Sequence, residues 1–178
     1  VVTVNTLPTV AVNDTIFCSG AAVPLNAVAS GGQGPYSYQW SPGVGLDATS
    51  GATVTTNSAT STSYTVSIND VNGCSASDVS SVTVNDLPAV NAGIDLTLCN
   101  TPTVTQLQGT PANGTWSGSG VNASGAYSPT GDGQFMIKYS FTDGNGCSSS
   151  DSLLITVTSP QIVNAGNDTS ICLFSSFI

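Results

Sequence analysis

The feature that most constrains this chain is that it repeats itself. Asp70-Val-Asn-Gly-Cys74-Ser-Ala-Ser-Asp78 returns as Asp143-Gly-Asn-Gly-Cys147-Ser-Ser-Ser-Asp151, with seven of nine positions identical. Each copy leads into an alternating apolar run, Val82 and Val84 in one case and Ile155 and Val157 in the other. Val90-Asn-Ala-Gly-Ile-Asp-Leu-Thr-Leu-Cys99 returns as Val163-Asn-Ala-Gly-Asn-Asp-Thr-Ser-Ile-Cys172, and in shorter form as Val12-Asn-Asp-Thr-Ile-Phe-Cys18. A period of this size means one supersecondary design copied in series. Pro8, Pro88 and Pro160 mark the joints. The expected organisation is residues 1–8 as the last strand of a preceding repeat, 9–87 and 88–159 as two whole repeats, and 160–178 as the first strand or strands of a following one. The chain then reads as a piece of a longer array.

Within each repeat the hydrophobic period is two. Phe135, Ile137, Tyr139 and Phe141 share one face, with Met136, Lys138, Ser140 and Thr142 on the other. Tyr64, Val66 and Ile68 form the matching stripe of the first repeat, and Tyr36, Tyr38 and Trp40, then Val23, Leu25, Ala27 and Ala29, form two more. Strict alternation over short runs predicts half-buried strands. Gly31-Gly-Gln-Gly34, Ser41-Pro-Gly43 and Asn72-Gly73 supply turn chemistry between them. Long helices are not expected, because Glu and Arg are absent and Lys is single, while 26 Ser and 23 Thr carry the polar surface.

The order Cys18, Trp40, Cys74 recurs as Cys99, Trp116, Cys147. Cysteines flanking a buried tryptophan are the immunoglobulin-type arrangement, so the predicted fold class is all-β, tandem immunoglobulin-like sandwiches arranged end to end. One departure is visible: the second cysteine of each set lies in a turn after a strand. Five cysteines are an odd number. Two within-repeat bridges, Cys18–Cys74 and Cys99–Cys147, are the economical solution, with Cys172 unpaired in this fragment. Trp40 and Trp116 are expected in the two cores. Disulfides place the chain outside the cell.

Charge narrows the function further. Ten Asp against a single Lys leave a net charge of −9, with no His. Without histidine there is no imidazole base, nucleophile partner or metal ligand. Without a basic patch there is no footprint for nucleic acid or an anionic membrane. The chain is expected not to be an enzyme.

Gly31-Gly-Gln-Gly-Pro-Tyr-Ser-Tyr-Gln-Trp40 resembles the strand B–C region of PKD-like domains, although Ser41-Pro-Gly-Val-Gly45 stands where that family carries its aspartate-rich signature. Asn91-Ala-Gly-Ile-Asp95, Gly114-Thr-Trp-Ser-Gly-Ser-Gly120 and Thr142-Asp-Gly-Asn-Gly-Cys147 resemble the Ig-like and PKD-like repeats of very large Bacteroidetes cell-surface adhesins, gliding-motility adhesins and type IX secretion substrates among them. The resemblance covers nearly the whole chain. It implies a disulfide-stapled stalk segment of a secreted cell-surface adhesin or filament, whose partners are neighbouring repeats and, through lateral self-association, other chains. It also implies bacterial O-glycosylation at Asp-Ser/Thr-apolar sites, which Thr15 and Ser152 fit. The alternatives are a glycan-binding module that meets surface glycans, with Tyr127 as its exposed aromatic, and an accessory stalk of a secreted polysaccharide-degrading enzyme. Asp70, Asn72, Asp143 and Asn145 are weak calcium candidates, set against simple turn capping; no other cofactor is expected.

Overall fold

The computed structural model describes residues 4–160 and Gly166. Among them every regular element is a strand. The first repeat contains β1 (Pro8–Val12), β2 (Thr15–Cys18), β3 (Val23–Gly31), β4 (Ser37–Ser41), β5 (Thr53–Thr56), β6 (Thr62–Asn69) and β7 (Ser75–Asn85). These form two sheets, ordered β1-β3-β5 and β2-β7-β6-β4. β1 lies antiparallel to β3, with Pro8 opposite Gly31 and Val12 opposite Ala27. The chain then leaves that sheet at Asn13 and Asp14, and β2 runs parallel to β7, with Thr15 opposite Val82 and Cys18 opposite Asn85. An opening strand split between both sheets, followed by this strand order, is the immunoglobulin-like sandwich.

The second repeat contains β8 (Leu96–Cys99), β9 (Thr105–Gln106), β10 (Thr115–Ser117), β11 (Ala126–Tyr127), β12 (Gly133–Thr142) and β13 (Ser148–Thr158). Its sheets are β8-β13-β12-β10 and β9-β11. β8 again runs parallel to the last strand, with Leu96 opposite Ile155 and Cys99 opposite Thr158. No counterpart of β1 lies on β9 among the described strands. Where β3 runs for nine residues, β9 stops after two. Gly109 and Pro111 follow it, and proline has no N–H to give to a ladder.

The alternating stripes become the cores. Leu25, Trp40, Val54, Tyr64, Val66, Ile68 and Val82 are buried in the first repeat, and Leu107, Trp116, Ile137, Tyr139, Leu153, Ile155 and Val157 in the second. The intervening residues on the same strands face outward: β6 reads Tyr64, Val66 and Ile68 fully buried with Thr65 and Ser67 half-buried between them. Trp40 donates its indole N–H to the Gly51 carbonyl at 2.9 Å. Trp116 stacks at 4.7 Å, tilted, against Tyr139. Gly109 sits hard against that tyrosine, where an added Cβ would meet the ring at 2.5 Å.

Tyr127 is fully buried, not the exposed aromatic that its proline-flanked setting suggested. Its hydroxyl has no hydrogen-bond partner, and burial pushes its pKa up. An unsatisfied buried polar atom costs about 1–3 kcal/mol. Tyr127→Phe is therefore expected to raise stability by about 1 kcal/mol. A urea titration in which the phenylalanine variant is the weaker protein would show that the hydroxyl is satisfied.

The chain divides into two compact units. The first takes in the chain up to Val90 together with Thr110–Gly114 and Ser140–Ser150. The second takes in, among the described residues, Asn91–Gly109, Thr115–Tyr139 and Asp151 to Pro160, with Gly166. The main division falls near the predicted joint at Pro88, but two segments of the second repeat cluster with the first unit. At the start of the chain, residues 4–7 form no strand and Pro8 already belongs to β1. The expectation for 160–178 falls, Pro160 and Gly166 apart, outside the described residues, as does Cys172.

Candidate functional site

Aspartate positions recur with their contacts, not only with their sequence. Asp78 of β7 accepts the backbone N–H of Val12 at 2.9 Å, and Asp151 of β13 accepts that of Ala92 at 2.9 Å. In the reverse direction, Asp14 accepts the N–H of Ser81 at 2.8 Å and Asp95 accepts that of Leu154 at 2.8 Å. Each repeat thus has a two-way clasp. An acid on the last strand holds the opening segment, and an acid on the opening segment holds the last strand. Two of these N–H groups, those of Val12 and Ala92, belong to the segment that leads into β2 or β8, and the other two, those of Ser81 and Leu154, to the last strand.

The third recurrent acid caps the turn before the last strand. Asp70 accepts from the N–H groups of Asn72 at 2.9 Å and Cys74 at 2.8 Å; Asp143 accepts from Asn145 and Cys147, each at 2.9 Å. The backbone closes identically in both: Asp70 N–H to Cys74 O and Asp143 N–H to Cys147 O, each 2.9 Å. Gly73 and Gly146 take φ of 80° and 82°, the left-handed region that glycine enters without a Cβ penalty. The other carboxylate oxygen of Asp70 accepts the Gln33 N–H at 3.1 Å. Asp70 thus spends both oxygens on the backbone as a turn cap. The calcium candidates Asp70, Asn72, Asp143 and Asn145 divide between two separate turns, and no group of three or more ligating Asp or Cys side chains occurs among the described residues.

These contacts set the acid response. Burial pushes the Asp70 carboxyl upward, but the N–H donors of Cys74, Gln33, Asn72 and Gly73 outweigh it and hold its pKa below the ordinary 3.8. The Ala92 N–H, then that of Ser152, lowers Asp151; the Thr55 N–H lowers Asp47; the Ser159 hydroxyl lowers Asp132. A carboxyl whose folded pKa is depressed stabilises the fold above its unfolded pKa, and that contribution is lost as pH falls toward the folded value. With no histidine or glutamate, the melting temperature is expected to stay level from about pH 7 to 5 and to fall below about pH 4. A melting temperature that holds or rises from pH 4 to pH 2 would contradict this.

The cysteines are not arranged as the sequence suggested. Cys18 bonds Cys147, with Cα atoms 5.6 Å apart, and Cys74 and Cys99 are free thiols. The strand register excludes both within-repeat bridges. Cys18 lies opposite Asn85 at the far end of β7, whereas Cys74 immediately precedes its first residue, Ser75. Cys99 lies opposite Thr158 at the far end of β13, and Cys147 immediately precedes Ser148. At a rise of about 3.3 Å per residue, each within-repeat pair is separated by roughly 35 Å. A disulfide needs Cα atoms within about 7 Å. Both bonded residues belong to the first compact unit, although they come from different sequence repeats.

The remaining candidates separate by exposure. Thr15 is half-buried at the start of β2, and Ser152 is exposed on β13. Asp14 and Asp151, which precede them, are clasp residues. The matching pairs of the other repeat are Asp95-Leu96 and Asp78-Val79, so the acid recurs where the hydroxyl does not.

No protein-family model matches the chain, and no curated protein matches it. Solved structures do. The titin I-band fragment I67–I69 is similar over 89% of this chain and 68% of its own length, at 16% identity and a TM-score of 0.43. The insect immune protein hemolin is similar over 82% and 45%, at 17% identity and 0.41. The eight N-terminal Ig domains of the Down syndrome cell adhesion molecule are similar over 87% and 25%, at 15% identity and 0.42. All three are Ig-domain proteins, and at these scores the likeness says nothing of function. The strand order itself defines the class: tandem Ig-like sandwiches with a disulfide between sequence repeats.

Proposed function

We propose that the chain is a structural stalk segment of a secreted cell-surface adhesin or filament, non-enzymatic and extracellular. The observation that carries this reading is the Cys18–Cys147 bond, which makes consecutive repeats covalently continuous at a second point besides the backbone. Such a bond serves a part that must keep its length outside the cell, where disulfides persist. The aspartates support the same reading. Six of the ten, Asp14, Asp70, Asp78, Asp95, Asp143 and Asp151, act as backbone acceptors in duplicate, which leaves the acidity as a fastening device copied along an array.

The Bacteroidetes surface-adhesin origin, secretion by the type IX route and O-glycosylation at Thr15 and Ser152 belong to this proposal through the sequence resemblance alone. Flanking repeats, one preceding β1 and one beginning at residues 160–178, belong to it through the internal sequence repeat, and lateral association of chains belongs to it through the resemblance. The glycan-binding alternative loses its proposed platform, because Tyr127 lies in the core. A glycan array probed with the full chain separates the two: a stalk gives no specific signal. A reproducible hit competed by free sugar would replace this reading with the binding module.

A further inference from the structure

The four described cysteines occupy two kinds of position. Cys18 and Cys99 end the short strand that runs parallel to the last strand of their repeat. Cys74 and Cys147 close the Asp-x-Asn-Gly turn that precedes that last strand, with the same backbone and carboxylate hydrogen bonds in both. The one bond formed takes a strand-end cysteine from the earlier repeat and a turn cysteine from the later. We propose that Cys74 and Cys99 are the open halves of this same linkage. Cys99 bonds the turn cysteine of a repeat that follows, and Cys74 bonds the strand-end cysteine of a repeat that precedes. The partner in both cases is another repeat of this kind, and the array is joined throughout by overlapping repeat-to-repeat disulfides.

The rule accounts for observations that pairing within a repeat leaves unexplained. Neither free thiol has a partner in its own repeat, because the strand-end and turn positions stand roughly 35 Å apart. Cys99 is exposed and Cys74 is partly exposed, so both can be reached. Cys74 sits in a turn with the same internal hydrogen bonds as the one in which Cys147 is already oxidised. In each linkage two thiols give up two protons and two electrons. A disulfide oxidant such as oxidised glutathione accepts them and leaves as two thiols.

The inference rests on the stalk reading of consecutive repeats, and its test keeps the two apart. Residues 1–159 of one copy, uniformly labelled with nitrogen-15 so that its peptides are told from those of the other, are ligated to residues 8–178 of a second copy carrying Cys172→Ser, and the product is refolded with oxidised glutathione. Disulfides are mapped by chymotrypsin and Asp-N, since one lysine and no arginine leave trypsin little to cut. Each copy alone has two free thiols among the four described cysteines. The tandem is expected to alkylate at two positions and not four, Cys74 of the first copy and Cys99 of the second, with Cys99 of the first copy bonded to Cys74 of the second. Four alkylated thiols, a Cys74–Cys74 or Cys99–Cys99 bond, or a bond between Cys74 of the first copy and Cys99 of the second would overturn it. In those cases an intact Cys18–Cys147 bond leaves the stalk reading standing. Bonds from Cys18 to Cys74 or from Cys99 to Cys147 would remove both.

Discussion

Cys18→Ser is expected to lower the unfolding free energy of the oxidised chain by about 5 kcal/mol, and Cys74→Ser to change it by less than about 0.5 kcal/mol. The asymmetry follows from the bond the structure contains. Cys18 and Cys147 are separated by 129 residues, so the bridge closes a loop that takes in most of both repeats. Constraint of the unfolded chain grows with the logarithm of loop length and reaches this size for a loop so long. Cys18 is half-buried, so serine there leaves no cavity of consequence. Cys74 is free, and its turn is held by the Asp70 carboxylate and by Gly73, neither of which the substitution touches. Within-repeat pairing makes the opposite prediction, namely equal losses at both positions. Denaturant unfolding under oxidising and reducing conditions separates these outcomes: reduction should bring the wild type down to the Cys18→Ser variant and leave that variant unchanged.

The second large effect lies in the first core. Trp40→Ala is expected to cost about 3–5 kcal/mol, because it removes the largest buried side chain of that core and leaves a cavity among well-packed neighbours. Trp40→Phe retains much of the apolar contact but leaves the Gly51 carbonyl without the indole N–H, so a smaller loss of about 1–3 kcal/mol is expected. Circular dichroism through a urea titration measures both. An exposed tryptophan would tolerate either change to within about 0.5 kcal/mol, which would contradict its burial here.

Most of the sandwich could be read from the residues. The period-two stripes Tyr64-Val66-Ile68, Val23-Leu25-Ala27 and Ile137-Tyr139 fall on the core faces because a pleated strand sends alternate side chains to opposite sides. Both tryptophans are buried, and the turn position of Cys74 and Cys147 is as the Asn-Gly pairs indicate. The disulfide was misread because pairing is a matter of strand direction, which periodicity does not report. β2 and β8 run parallel to the last strands, and this carries each strand-end cysteine to the end of its sheet away from the turn cysteine. One signal was present: Cys18 and Cys99 stand at the ends of their apolar runs while Cys74 and Cys147 stand at the starts of theirs. The clasp was equally hidden. Asp14 and Asp78, like Asp95 and Asp151, are distant in sequence, and each reaches its backbone partner only when the opening segment is laid beside the last strand. Tyr127 was misplaced because its Ser-Pro-Thr-Gly neighbourhood reads as loop, whereas β11 carries it inward.

The central claim is that consecutive repeats are held together by a bond between them, and pulling single oxidised molecules from their two ends tests it most directly. With Cys18–Cys147 closed, the 129-residue span between them cannot extend, whatever unfolds within it. Reduction before pulling should lengthen the fully extended chain by about 460 Å, at about 3.6 Å per residue. Two separate gains of about 200 Å and about 170 Å would instead report a bridge inside each repeat, and would contradict the account.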